Sequence, residues 1–177
     1  NECISGCSRG GLSFWHLRRR NVDFVKVILP TYSIKIMETN KILYVCQEIS
    51  PYVPENELSK LSIEMARQMQ ERGSEVRTFM PRFGCINERR NQLHEVIRLS
   101  GMNLIINDND HQLIIKVASI PSARIQIYFI DNDDYFSRRA VLHDENGKPF
   151  EDNDDRAIFF ARGMLETVKK LRWTPTI

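Results

Sequence analysis

The order of secondary-structure signals between residues 41 and 80 constrains the fold more than any other feature of the sequence. Ile42 to Cys46 is a short, mostly apolar run, as expected for a strand buried on both faces. A helical pattern follows, and a second apolar run, Val76 to Met80, ends at Pro81. Two consecutive strands joined by a helix lie parallel in one sheet, with a right-handed crossover. The chain is therefore predicted to be an α/β protein.

Each of the two predicted helices carries a stripe of residues at helical spacing, which is expected to face the sheet. The first helix starts near Asn56 and is capped at its C-terminus by Gly73. The second runs from about Asn153 to Leu171, with acidic residues in its first turn and basic residues at its end, as the helix dipole favours. The stripes consist of Leu58, Leu61, Ser62, Met65 and Met69 in the first helix and of Ile158, Ala161, Leu165 and Val168 in the second.

Three further strands are predicted beyond Pro81, separated by turns rich in Asn, Asp, Pro and Ser. They cover about His94 to Ile106, Leu113 to Ile120 and Ile125 to Ile130. Asn146 and Gly147 mark another turn. Pro175 and Ile177 have the pattern of one more strand, so the sequence predicts a sheet that is truncated at the C-terminus.

Composition excludes several classes of protein. The 177 residues, of which 42% are hydrophobic and 27% charged, are enough for one domain with a sizeable core. A net charge of +2 gives no reason to expect nucleic-acid binding, and no apolar run approaches the roughly 20 residues of a membrane span. The cysteines lack zinc-site spacing and are interpreted as reduced thiols of a cytoplasmic protein; they are Cys3, Cys7, Cys46 and Cys85.

Residues 1–36 differ from the rest of the chain. They contain the basic run Arg18 to Arg20 and an isolated apolar piece, VKVILP, ahead of Met37. A basic segment that is poor in acids is typical of a targeting signal. The other interpretation, a non-native or mispredicted extension upstream of a start at Met37, is favoured because no small-residue cleavage site follows the apolar piece; disorder is one expectation for it. Residues 37–177 are predicted to form the folded domain.

Four separate blocks of the sequence carry a family resemblance. They are KILYVCQEISPY, ERGSEVRTFMPRFG, IYFIDNDDYFSRR and FEDNDDRAIFFARGMLETVKKLRWTP, spread from Lys41 to Pro175. In this order and spacing they resemble the N-terminal part of a bacterial glycogen or starch synthase of glycosyltransferase family 5, in the divergent form of Bacteroidetes-type bacteria. The resemblance implies the Rossmann-like N-terminal half of the two-domain GT-B fold.

What the resemblance implies about function is retaining transfer of glucose from ADP-glucose to an α-1,4-glucan in the cytoplasm, without a metal or cofactor. In that family the N-terminal domain mainly holds the acceptor, and the C-terminal domain holds most of the nucleotide sugar. The chain would therefore need a C-terminal domain for catalysis, and no catalytic residue is expected within it. The expected partners are ADP-glucose and an α-glucan.

The first loop departs from the family, which usually has Lys-Thr-Gly-Gly-Leu where this chain has Pro54 to Leu58. Glycines and a helix N-terminus attract a diphosphate through free N–H groups, whereas Glu55 and Glu57 repel it. At about 4 Å and an effective dielectric constant near 20, each such charge pair costs on the order of 4 kcal/mol before screening. Lys60 and Leu142 also replace an acid and a tyrosine that are common in the family.

Seven residues are the candidate substrate-binding positions: Glu57, Leu58, Arg82, Asp131, His143, Asp152 and Asn153. Arg82 follows the carboxyl end of a strand, where open α/β sheets bind ligands. An arginine that is only a surface charge would have the same sequence pattern. His143 beside Asp144 could be an oriented acid or base, but a solvated turn histidine is the favoured interpretation.

Two other patterns have structural interpretations that are favoured over functional ones. Asp-Asn-Asp occurs at residues 108–110, 131–133 and 152–154; such carboxylates could hold a cation, but turns and helix caps prefer the same residues. Arg156 is predicted to pair with Asp152 or Asp131, and Tyr128, Phe129, Phe159 and Phe160 are predicted to be core rather than sugar-stacking residues.

Two hypotheses about function remain at this stage. The first is the acceptor-side domain of a glycogen or starch synthase-like enzyme, inactive alone. The second is a non-catalytic glucan-binding or scaffold domain that kept the fold and lost donor chemistry, which the glycine-free loop favours.

Overall fold

The computed structural model describes residues 39–121 and 123–177. The predictions for residues 1–36, for Met37 as a start and for Cys3 and Cys7 lie outside these ranges. The elements, in chain order, are β1 (Lys41–Val45), α1 (Glu57–Glu71), β2 (Glu75–Pro81), β3 (His94–Glu95), β4 (Met102–Ile106), β5 (Asn109–Ile120), β6 (Ile125–Asp131), α2 (Asp133–Phe136) and α3 (Asn153–Leu171).

The described strands form one mixed sheet in the order β1-β2-β6-β5-β3, with β4 also paired to β5. β1, β2 and β6 are parallel, whereas β5 runs antiparallel to β6, β3 and β4. The parallel strand–helix–strand unit predicted from the sequence is therefore confirmed. The prediction of one strand from His94 to Ile106 is wrong, because a turn divides it and Gly101 within that turn has a φ of +80°.

The two long helices lie on opposite faces of the sheet. Tyr44 of β1 lies beside Ser62 of α1 and is paired with Thr78 of β2. On the other face, a Cβ added to Gly163 of α3 would lie 2.9 Å from Ile130 of β6. Successive strand residues alternate between the faces, and the register places Thr78 and Ile130 on different faces. The parallel strands are consequently covered on both sides, as such strands require.

The predicted sheet-facing stripe of α1 is wrong except at Ser62, which is buried. Leu58, Leu61 and Met65 are 51%, 58% and 44% exposed, and Met69 is half-buried. The residues of α1 that are buried against the sheet are small: Ser59, Ser62 and Ala66. Small side chains allow the helix backbone to approach the sheet closely, and this close contact decides which face of the helix is buried.

The predicted stripe of α3 is also wrong. Ile158 and Leu165 are about half exposed, Ala161 is exposed and Val168 is half-buried. The buried residues of this helix are Arg156, Phe159, Gly163 and Thr167. Gly163 sits where a Cβ would press on Ile130 and Leu113, so α3 also meets the sheet through a residue that hydrophobic periodicity does not identify.

Other sequence predictions are confirmed. Asn56 caps α1, Gly73 follows the helix with a φ of +86°, and Gly147 adopts a positive φ in its turn. Tyr128, Phe129 and Phe159 are buried in the core. The strand predicted at Pro175 and Ile177 is not formed as a regular strand, but the residues after α3 run along the outer edge of β1 and bond to it. Thr176 donates its N–H to the Lys41 carbonyl at 2.8 Å, and Leu43 donates to the Ile177 carbonyl at 2.8 Å.

We expect Leu61→Glu to change the free energy of unfolding by no more than about 0.5 kcal/mol, because the side chain is exposed. Ala66→Leu, at a fully buried position of the same helix, should destabilise the protein by about 1–3 kcal/mol through overpacking. Urea denaturation of both variants measures the difference. A larger loss for Leu61→Glu than for Ala66→Leu would contradict the observed orientation of α1.

Candidate functional site

The carboxyl ends of β1, β2 and β6 lie side by side at one edge of the sheet, because these three strands are parallel neighbours. The loops that follow them contain most of the candidate residues predicted from the sequence. This edge is where open α/β sheets bind ligands. Three features occupy it: the capped start of α1, a buried ion cluster and an apolar cavity.

The N-terminus of α1 is capped by side chains of the helix start itself. The Asn56 side chain accepts the Ser59 N–H at 2.7 Å, and the Ser59 hydroxyl accepts the Asn56 N–H at 3.0 Å. The Asn56 amide also donates to the Glu48 carboxylate. Glu57 and Leu58, the first two residues of the helix, are exposed. This capping box satisfies two of the N–H groups at the helix terminus, those of Asn56 and Ser59.

The charge at this helix terminus is also unfavourable for a phosphate. Glu48, Glu55 and Glu57 all lie within or next to the loop, and only Glu55 has a basic partner there, Lys60 at 3.1 Å. A helix N-terminus stabilises acidic side chains as readily as it stabilises a bound anion. The glutamates thus take the electrostatic role that a diphosphate would have at this helix terminus.

The structure brings Arg82 and Asp131 together in a buried ion cluster. The Asp131 carboxylate, whose side chain is 1% exposed, lies 3.0 Å from Arg82 Nε and 2.9 Å from Lys116 Nζ. Glu88 accepts a hydrogen bond from Lys116 at 2.6 Å and lies 3.3 Å from Arg82. Burial lowers the pKa of Lys116, but the bonds to Glu88 and Asp131 outweigh it, so that pKa is raised overall. Arg82 is held by internal carboxylates.

Sequence reasoning did not identify Lys116 and Glu88 as members of this cluster. Lys116 stands between Ile115 and Val117, in the otherwise apolar run from Leu113 to Ala118. A lone lysine in such a run indicates a buried acidic partner, because an unpaired buried charge is too costly. The lysine could therefore have indicated the cluster from the sequence, whereas Asp131 could be identified as the partner of Lys116 only from the sheet register.

Asp152 and Asn153, at the start of α3, make contacts within the fold. Arg138 donates to both oxygens of Asp152 at 2.6 Å, and this bidentate pair, together with the charge of Arg138, lowers the pKa of Asp152. The Asn153 amide donates to the Leu142 carbonyl at 2.9 Å. His143 is exposed, and its backbone bridges to Pro149 in a turn. The structure therefore does not bring His143 into contact with the other candidates.

The predicted pairing of Arg156 with Asp152 or Asp131 is wrong, since those carboxylates are engaged by Arg138, Arg82 and Lys116. Arg156 instead donates from Nε to the Tyr135 carbonyl at 2.9 Å and from Nη1 to the Asn153 side chain at 2.7 Å. Its Nη2 is buried without a hydrogen-bond partner. The guanidinium also lies over three aromatic rings, those of Phe83, Phe136 and Phe150, at 5.4–5.7 Å from their centroids.

A cavity of about 200 Å³ lies between the ends of β1 and β2 and the first turns of α3. Its apolar wall consists of Val45, Pro81, Phe83, Phe136, Leu142 and Phe160, and Arg156 and Asn153 also line it. Cys46 is at its edge, and burial raises the pKa of this thiol to about 12. The thiol is therefore protonated at neutral pH and is a poor nucleophile.

A second group of hydrogen-bonded polar side chains was not predicted from the sequence. His111 Nδ1 lies 2.8 Å from the Asp134 carboxylate, and the Tyr135 hydroxyl lies 3.1 Å from His111 Nε2. The His111 and Tyr135 rings are 4.5 Å apart. These contacts join the start of β5 to α2, and only the antiparallel pairing of β5 with β6 brings them together.

The described part of the chain has neither a metal-binding cluster nor a membrane-spanning helix. Residues 39–121 and 123–177 contain no cluster of three or more metal-ligating side chains. None of the described helices has the length and hydropathy needed to cross a bilayer.

Comparison with known proteins agrees with this geometry. A family model described as the starch synthase catalytic domain matches residues 41–177. Glycogen synthases from Chlorobium limicola and Pelodictyon phaeoclathratiforme are 39% and 38% identical over 138 residues, which are 77% of this chain. The chain spans 28% of the length of these relatives. The catalytic domain of starch synthase IV from Arabidopsis thaliana, solved with ADP and acarbose, superposes with a TM-score of 0.63 at 16% identity, over 77% of this chain and 26% of that one.

The fold is that of a Rossmann-like part of a GT-B glycosyltransferase. The match over residues 41–177 makes the assignment specific: the chain belongs to the starch synthase catalytic domain family. The family resemblance in the sequence is thereby confirmed, and the Bacteroidetes-like form stays a prediction.

Asp131→Leu should destabilise the protein by about 3–5 kcal/mol, because it leaves Arg82 and Lys116 buried beside no carboxylate at that position. Asp133→Leu is the matched control: Asp133 is 86% exposed and lies 3.9 Å from Arg82. Its effect should stay within about 0.5 kcal/mol. Chemical denaturation gives both values, and equal losses would show that Asp131 does not anchor the cluster.

Asp152→Asn should remove a pH-dependent contribution to stability of about 1 kcal/mol, the size expected for a partly exposed ion pair. Because the folded-state pKa is lowered, the contribution is present above the ordinary aspartate pKa of about 3.9 and is lost as pH falls through the folded value. The difference between wild type and variant should therefore shrink from pH 7 to pH 3. Glu151→Gln, at an exposed neighbour, is the control; a difference independent of pH would argue against the pair.

Proposed function

We propose that this chain provides the acceptor-side part of a glucosyltransferase that moves glucose from ADP-glucose to the non-reducing end of an α-1,4-glucan. The family match over residues 41–177 is the observation that carries this proposal. The relatives are named glycogen synthase, and the structural neighbour was solved with ADP and acarbose. A cytoplasmic location and partnership with a nucleotide sugar and an α-glucan follow from the same proposal.

The chain by itself is proposed to be inactive. The family places most donor contacts in a second domain, and the part described here spans 28% of the relatives' length. At the α1 terminus, the capping box and the acidic side chains around it leave little to attract a diphosphate. If a longer protein containing this chain is active, its diphosphate is held mainly from elsewhere.

The same loop supports a second candidate function, a non-catalytic glucan-binding or scaffold domain. A helix terminus that carries glutamates in place of the family's Lys-Thr-Gly-Gly is the specific observation that favours it. Glycogen co-sedimentation tests the binding that both functions require, and absence of retention would reject both. Catalysis by a complete enzyme that contains this chain would distinguish the two functions.

A chimera of the Chlorobium limicola glycogen synthase tests the catalytic proposal, with residues 41–177 of this chain replacing the matching segment. We expect ADP release with glycogen, at a reduced kcat/KM. Restoring the family loop by Pro54→Lys, Glu55→Thr, Asn56→Gly and Glu57→Gly should raise kcat/KM at least about tenfold, or about 1.4 kcal/mol. The physical reason is that two repulsive charges are removed and an attractive one is added.

Glu64→Gln in the same chimera is the control, because it removes an exposed charge from α1 away from the helix terminus. Its kcat/KM should match that of the unmodified chimera. A chimera that binds glycogen but releases no ADP with either loop would reject the catalytic proposal and favour the scaffold function. Steady ADP release by the 177-residue chain alone would refute its proposed inactivity.

A further inference from the structure

The outer edge of β4 carries backbone groups that no other strand of the described sheet pairs with. A two-residue turn at residues 107–108, both with a positive φ, joins β4 to β5. In such a hairpin the flanking residues, Ile106 and Asn109, form a hydrogen-bonded pair, and the two kinds of pair then alternate along the strands. Asn103 and Ile105 therefore direct their N–H and C=O groups away from β5.

Two side-chain contacts agree with this orientation. Arg162 of α3 donates from Nη1 to the Ile105 carbonyl at 2.6 Å, so that carbonyl points outward and retains one lone pair. Gln112 is the register partner of Asn103 in β5, and its carbonyl accepts from Asn132, which follows β6 on the far side of β5. No acceptor outside the sheet contacts the N–H groups of Asn103 and Ile105 in the described part of the chain.

Exposed apolar side chains lie on both sides of this edge. The Leu104 side chain faces α3, since it lies 3.7 Å from the position that a Cβ of Gly163 would take. Ile105, which is 59% exposed, consequently faces the opposite side of the sheet. A groove of about 660 Å³ runs between β4 and α3, and Leu165, which is 51% exposed, lines it. An edge strand of this kind is a template for pairing with another strand.

A second copy of β4 matches the spacing of these groups. In an antiparallel pair related by a two-fold axis beside Leu104, Asn103 of one copy lies opposite Ile105 of the other. Both residues direct their backbone groups outward, so each such pair exchanges both of its N–H···O bonds. Leu104 then lies opposite Leu104 of the second copy, at a Cβ separation of about 4.5–5.5 Å.

The charges beside the groove favour a second copy over a partner of one charge sign. Arg162, Glu166 and Lys169 follow one another along one flank of α3, and Arg162 makes no ion pair within residues 39–121 and 123–177. A purely acidic or purely basic partner would be repelled by part of this flank. The two-fold axis reverses the second copy and brings Arg162 toward its Glu166, because Gly163 is level with Leu104. Such complementary charges fix the register of an interface.

We propose that the outer edge of β4 is a self-association surface, through which two copies of this chain form a symmetric dimer with one sheet continuous across both β4 strands. β4 has five residues, so the interface belongs to the small and transient class. The strand contributes no residue to the candidate site. Dimerisation and glucosyl transfer can therefore fail independently of each other.

Sedimentation of the full 177-residue chain over a concentration series tests the dimer. We expect a Kd on the order of 10 µM, as suits a small interface. Ile105→Lys should weaken the dimer at least about tenfold, because a lysine on an edge strand opposes pairing. Leu61→Lys is the matched control, since Leu61 is 58% exposed but belongs to α1. A chain that stays monomeric, or a dimer that Leu61→Lys weakens as much as Ile105→Lys does, would overturn the proposal.

Amide hydrogen exchange reports the backbone pairing itself. The N–H groups of Asn103 and Ile105 should exchange at least about tenfold more slowly where the dimer predominates, whereas those of Leu104 and Ile106, bonded to β5 in both states, should not change. Ile105→Pro removes only an outward N–H, which edge strands tolerate. It should weaken the dimer at least about tenfold while Leu104 and Ile106 stay protected. Exchange at Asn103 and Ile105 that is independent of concentration would reject pairing through β4.

Discussion

The buried carboxylate of Asp131 holds together the end of the sheet at which the loops converge. It stands where the parallel strands β2 and β6 meet the antiparallel strand β5, and it is paired with Arg82 and Lys116. Breaking such a pair costs about 3–5 kcal/mol, which is a large part of the roughly 5–15 kcal/mol that stabilises a typical domain. The loop after β2 and α2 after β6 both start at this cluster, so their positions depend on it.

The sequence predicted the order and type of most elements, because apolar runs and turn residues are local signals. It failed on the buried faces of both long helices. Periodicity selected Leu61 and Leu165, whereas the sheet is approached through Ala66 and Gly163; of the predicted α1 stripe, Ser62 is the buried member. At these contacts, close approach of the backbones outweighs the burial of larger side chains, and no pattern within one helix reveals which face has room for it.

The candidate site was likewise predicted only in part from the sequence. Arg82, Asp131, Asp152 and Asn153 were identified from their positions after strands and at the start of a helix, and the structure places them at the loop end of the sheet. Their partners Lys116, Glu88 and Arg138 were not identified, since strand register and the paths of the loops bring each of them to its partner. The roles of the candidates in substrate binding remain predictions, while their contacts within the fold are observed.

The sequence by itself determined the family, the α/β class and the acidic, glycine-free loop at residues 54–58, because these depend on residue identity and local order. Only the tertiary structure decided that Arg82 lies beside the carboxylates of Asp131 and Glu88, whereas Arg156 lies among aromatic rings and donates to a backbone carbonyl and an amide. Arg82 follows a strand and Arg156 lies in a helix, and neither position reveals the surroundings of the charge. Those surroundings are the groups that lie within a few ångströms. Those neighbours come from strand register and helix placement, which bring together residues that are far apart in the chain.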